Sequence, residues 1–228
     1  MYQKNITPLI QSLLIATMLS SNLITSACSA EYSNTPILSN QSTPTEIYKL
    51  GLAYYEGDSV PEDDDKAFEL FQKAANQGYA PAKHYLGIMY YEGSGVEQDY
   101  QKAMEWYVLA ADNGSFDAQN NIGNLYENGY GVTQSYTRAL DWYRRAAAQD
   151  LDLAQLNIGG LYENGYGVPQ DYDEAFEWYK KSADQGNQEA SNRIGRLVMN
   201  DKIDDTGITI YSTQETGLTL GDIEDMSH

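Results

Sequence analysis

The 228-residue chain has one cysteine and two histidines. That scarcity excludes a disulfide framework, a Cys/His zinc site and nearly every catalytic arrangement built on histidine. Cations are also few: 14 Lys and Arg stand against 33 Asp and Glu, a formal net charge of −19. A protein of this sign has no cationic footprint for the phosphates of DNA, RNA or an anionic lipid surface, so nucleic-acid binding is not expected. Phenylalanine is sparse as well, with 4 residues against 20 tyrosines, so tyrosine must supply much of the aromatic packing. The 42% hydrophobic content is otherwise that of a globular protein, and no cofactor or metal is expected.

Residues 1–27 read as a secretory signal peptide: Lys4, an apolar run from Leu9 to Leu19, then small residues. Gln11 and Ser12 interrupt the run, which is too short for a good membrane span. Its end, Leu23-Ile24-Thr25-Ser26-Ala27-Cys28, resembles a bacterial lipobox with Cys28 as the lipidated residue, although Thr25 stands where that pattern prefers leucine. Ordinary cleavage after Ala27 or Ala30 is the alternative. The expectation is an exported protein, periplasmic or anchored to the outer membrane through Cys28 and touching the membrane in no other way. Residues 28–43 are a polar tether rich in Ser, Asn, Thr and Pro.

The remainder is periodic. Leu50, Leu86, Ile122, Ile158 and Ile194 recur every 36 residues, each followed by glycine. Further columns keep step: Tyr54, Tyr90, Tyr126 and Tyr162; Gly57, Gly93, Gly129 and Gly165; Ala67, Ala103, Ala139 and Ala175; Leu70, Trp106, Trp142 and Trp178; Phe71, Tyr107, Tyr143 and Tyr179. Within a unit the apolar spacing is helical twice, so each unit is a helix hairpin and the whole a solenoid. In the fourth unit Gly165 can end the first helix in a left-handed conformation, Pro169 prevents its continuation, and Asp171 or a neighbour caps the second. The helical glycines that follow each Leu/Ile start require close helix approach, for which the pairs Ala74-Ala75, Ala110-Ala111 and Ala146-Ala147 offer an opposing shallow surface. The Trp and Tyr columns are expected to fill the space between hairpins.

An LG-x-x-Y-x-x-G start, a GV before a tight turn, an A-x-x-W-Y helix and an AA-x-x-G end on this period resemble the SEL-one-like repeat family. The resemblance covers residues 44–200. It implies a tetratricopeptide-like, all-α, right-handed α-solenoid of four full repeats plus a C-terminal capping helix, serving as an adaptor in protein complexes. Repeat one departs from the pattern with Leu70-Phe71 and an acidic turn at Glu62-Asp63-Asp64-Asp65, as an end unit does. Residues 201–228 lose the period, hold seven acidic residues against one lysine, and read as a mostly disordered tail.

No residue set points to catalysis. Gly129-Tyr130-Gly131 follows a helix, not a strand, and is a repeat turn rather than a phosphate loop. Glu127 and Glu163 share a column and read as a solvated ladder, the 62–65 run as a charged turn, and His84 as a groove or surface residue. A cysteine-rich branch of the same family has been linked to β-lactam chemistry, but no repeat here contains a cysteine. The concave face of the solenoid is the candidate surface, lined by His84, Ile88 and Tyr91; Asn120, Asn124 and Glu127; Leu156, Gly160 and Glu163; and Asn192 and Arg196. The function expected of it is binding of a protein or peptide by a monomer at the cell envelope. A glycan or peptidoglycan fragment is the alternative occupant, and a hydrolase using the groove carboxylates the rival of another class.

Overall fold

A computed structural model describes residues 42–200 together with 202–204, 206, 208 and 210; residues 1–27, Cys28 and most of the tether and tail lie outside these. Among the described residues the chain forms nine helices: α1 (Pro44–Glu56), α2 (Asp64–Asn76), α3 (Ala80–Glu92), α4 (Tyr100–Ala111), α5 (Phe116–Asn128), α6 (Tyr136–Ala147), α7 (Asp152–Asn164), α8 (Tyr172–Asp184) and α9 (Gln188–Met199). They pair as four hairpins, α1–α2 to α7–α8, closed by α9, and each hairpin packs on the next. None is long and apolar enough to cross a membrane.

Local chemistry sets the helix ends. Gly57, Gly93, Gly129 and Gly165 stop α1, α3, α5 and α7 in the left-handed conformation, which costs a residue without a Cβ little. Asp63, Asp99, Ser135 and Asp171 then cap α2, α4, α6 and α8 through their side chains, again one column. The acidic turn of repeat one is thus a helix start: Asp63 accepts from the Lys66 amide and pairs with its ammonium at 2.5 Å.

The helical glycines face aromatic rings, not the alanine pairs expected opposite them. A Cβ on Gly123 would stand 2.5 Å from the Tyr143 ring, one on Gly159 2.5 Å from Tyr179, and one on Gly51 2.8 Å from Phe71. Each first helix therefore receives the flat face of the aromatic on its own second helix, and Phe71, Tyr107, Tyr143 and Tyr179 are at most 2% exposed. The alanine pairs are buried as well, packed toward the first helix of the following repeat. The neighbouring tryptophans are only half-buried, with Arg145 4.4 Å over Trp142 and Lys181 4.1 Å over Trp178.

A second joint links each turn to the preceding repeat. Gly131 and Gly167 press on the backbone at the start of α4 and α6, where a Cβ would meet Tyr100 or Thr137 atoms at 2.8 Å. Tyr130 and Tyr166 stack there on Tyr100 and Tyr136, with centroids 4.8 and 4.6 Å apart. Repeat one carries Ser59 in this column, also at positive φ (65°), and among the described residues no earlier repeat lies beneath it.

At the start of the tail, residues 202–204 pack back toward α9. Ile203 is fully buried with Leu197, Ala190 and Tyr179. The segment turns back on itself through the Asp204 amide to the Ile208 carbonyl (2.8 Å) and the Ile210 amide to the Lys202 carbonyl (2.9 Å). Among the described residues no second helix follows α9, and Ile203 packs on its apolar face.

Candidate functional site

The first helices of successive repeats lie side by side and touch along a shared seam. Their neighbours meet in a register of 37 residues: Asn121 Nδ2 is 3.0 Å from His84 Nε2, and Asn157 Nδ2 donates to Asn120 Oδ1 at 3.0 Å. Two clefts open along this seam. One, of about 270 Å³, is lined by Ile88, Tyr91, Glu92, Tyr107, Asn121 and Asn124. The other, of about 170 Å³, is lined by Glu127, Leu156, Asn157, Gly160, Asn164, Tyr166, Tyr179 and Arg193. Ile88, Glu92, Tyr107 and Asn121 of the first correspond, two repeats on, to Gly160, Asn164, Tyr179 and Arg193 of the second. The architecture builds one site repeatedly and varies its chemistry by substitution within columns.

The buried tyrosine column reaches the groove with its hydroxyl groups. Tyr143 donates to Glu127 Oε2 at 2.5 Å, and Tyr179 donates to Glu163, which also receives Arg193 Nη1 at 3.3 Å. Burial above all, then the adjoining carboxylate, pushes the Tyr143 and Tyr179 phenols far above their ordinary value of 10.0, so both remain donors. Glu127 and Glu163 are half-buried and each is bound to a tyrosine of its own repeat, not a solvated ladder and not a pair sharing a proton. Nearer the N-terminus, Tyr55 donates to Glu92 Oε2 at 2.9 Å.

The candidate residues divide among these settings. Ile88, Tyr91 and Asn124 meet in the first cleft, and Glu127 and Leu156 in the second, with Glu163 behind its rim on Tyr179. His84 lines a wider hollow of about 700 Å³ with Tyr48, Tyr85, Phe116 and Asp117. Burial lowers its pKa from 6.5 and the Asp117 charge opposes that shift. Asn120 is 8% exposed and spends its amide oxygen on Asn157, away from any ligand. Asn192 accepts from Gln188, and Arg196 pairs with Glu189 at 2.9 Å; both are exposed on α9 outside the clefts. Sequence reasoning missed Glu92, Asn121, Asn157, Arg193 and the tyrosine hydroxyls. Counting one stripe of each first helix omits the adjacent column Tyr85, Asn121, Asn157 and Arg193, although a solenoid's inner wall displays both. Among the described residues no three His, Cys, Asp or Glu side chains converge as metal ligands.

Similarity to known proteins follows the same register. The Sel1 repeat model matches residues 47–79, 80–115, 116–151 and 152–187. A Sel1 repeat protein from Oxalobacter formigenes is 27% identical over 90% of this chain and 86% of its own, with a TM-score of 0.70. A protective antigen of uropathogenic Escherichia coli displaying an SLR fold is 39% identical over 69% of this chain, with a TM-score of 0.65. The match spans 34% of that antigen's length. A comparison with curated proteins finds no match. Four matched units stacked as four hairpins in one register place the chain in the Sel1 repeat family.

Proposed function

We propose that the chain is a non-catalytic scaffold that receives a segment of a partner protein on its concave face, across the two clefts between first helices. The observation that carries this reading is their shared register. A site repeated along a groove and lined by Tyr, Asn, Glu and aliphatic side chains offers an extended or helical segment successive pockets for side chains and amides for its backbone. Proteins of Sel1 repeats generally mediate protein–protein interaction, which agrees with it. Glu127 and Glu163, the carboxylates a hydrolase would need, are each committed to a tyrosine of their own repeat and stand one repeat apart, which favours binding over catalysis. The proposed site residues are Ile88, Tyr91, Asn124, Glu127, Leu156 and Glu163, joined by Glu92, Asn121, Asn157 and Arg193.

Export and lipid attachment at Cys28 belong to the same proposal. They rest on the character of residues 1–27 and agree with the likeness to a protective antigen. Intact-mass measurement on protein extracted from membranes distinguishes an acylated Cys28 from a free N-terminus.

Crosslinking pull-down from envelope extract tests the groove, comparing wild type with the double change Asn124→Arg and Glu127→Arg. A partner held by the first and lost by the second is the expected result. Equal capture by both would move binding to the convex face.

A further inference from the structure

Glu163 and Glu127 stand one repeat apart, each holding a buried tyrosine hydroxyl, yet only one has a cation. Arg193, from the following first helix, fills the site at Glu163 and Tyr179. At the corresponding place opposite Glu127 and Tyr143 the next first helix carries Asn157, whose amide turns to Asn120 instead. None of the ion pairs among the described residues includes Glu127 or Glu92. The last repeat thus displays, within the chain, what this site takes: a guanidinium.

We infer that the groove is specific for a basic, extended segment of the partner, one of whose Arg or Lys side chains occupies at Glu127 and Tyr143 the place that Arg193 occupies at Glu163 and Tyr179. This rests on the groove reading above and gives its partner a chemistry. Glu127 lines an open cleft, so the cation has access. Arg193 does not repel it strongly, because its charge is already matched by Glu163 and Glu189. The protein's charge of −19 steers cationic segments toward it. Glu92, in the neighbouring cleft, supplies a second carboxylate held by Tyr55. Packed helices lie roughly 8–10 Å apart, and a chain extended as polyproline II advances about 3.1 Å per residue and returns its side chains to the same face every third residue, so cations three residues apart, about 9 Å, reach both carboxylates.

The test is selection of a random linear peptide library on the immobilised full chain, followed by affinity measurement of the selected peptides. Wild type should enrich Arg or Lys at two positions about three apart. Glu127→Gln, which keeps an acceptor for Tyr143, and Asn157→Arg, which fills the site from within as Arg193 does, should each weaken the selected peptide about tenfold. Asp141→Asn, on the exposed side of α6, should leave it unchanged, and circular dichroism melts establish that all three variants fold. Retained peptides without basic preference, or a preference untouched by Glu127→Gln and Asn157→Arg, would overturn this inference and leave the groove reading standing. Retention of no peptide at all would overturn both.

Discussion

Gly123 and Gly195 occupy one column of the repeat in opposite surroundings. Replacing Gly123 with alanine gains about 1 kcal/mol of helix propensity but drives a methyl to 2.5 Å from the Tyr143 ring. Overpacking of a closed core costs about 1–3 kcal/mol, so Gly123→Ala should lower the thermal midpoint. Among the described residues nothing lies within 4 Å of the missing Cβ of Gly195, and no second helix follows α9 to bring a ring against it. Gly195→Ala should therefore raise stability by about 0.5–1 kcal/mol, and paired thermal melts of the two variants check the opposite signs. His84 gives a prediction in pH. Its folded pKa is lowered by burial, so the unfolded chain takes up the proton first as pH falls, and stability present above the ordinary value of 6.5 is lost below it. Between about pH 7.5 and about pH 5.5 the urea midpoint should fall further for wild type than for His84→Asn, the residue that repeat three (Asn120) and α9 (Asn192) carry in this column. Equal slopes would mean that His84 is solvated.

At the scale of elements, hairpins and caps were legible in the sequence because each rests on a local rule repeated four times. Gly165 ends α7 and Asp171 caps α8 as read. What the period hides is which column faces which. Every column recurs at the same spacing, so spacing alone does not distinguish Gly123 against Tyr143 from Gly123 against an alanine pair. Nor does it show that Asn120 turns inward to Asn157 while Asn124 stays in the groove. The segment after α9 was illegible for another reason: it occurs once, and Ile203 between charged residues gives no pattern. Its place in the core makes a prediction. Ile203→Ala should cost about 2–5 kcal/mol if the turn remains seated, and should speed amide exchange in α9 ahead of α1 to α8. Unchanged exchange in α9 would mean that Leu197 and Tyr179 do not depend on this cover.

At the scale of the whole molecule, each repeat touches only its neighbours, so a unit can be removed if its neighbours find equivalent partners. Deletion of residues 116–151 joins Ser115 to Asp152 and brings α4 against α7. Every cross-repeat joint then has a replacement in register: Asn157 for Asn121 opposite His84, Tyr166 for Tyr130 on Tyr100, and Gly167 for Gly131 over the Tyr100 backbone. The new junction even gains a cap, because Ser115 bonds a helical amide whereas Leu151 caps α7 with no side-chain bond. The shortened chain should fold cooperatively, with a denaturant slope lower by roughly a quarter, as the surface buried falls by about one repeat in four. It should also lose the Glu127 and Tyr143 site outright while keeping Glu163 with Arg193. A folded deletion variant that still bound basic segments at wild-type strength would place their recognition outside repeat three, and an unfolded one would show that the joints between repeats are not interchangeable.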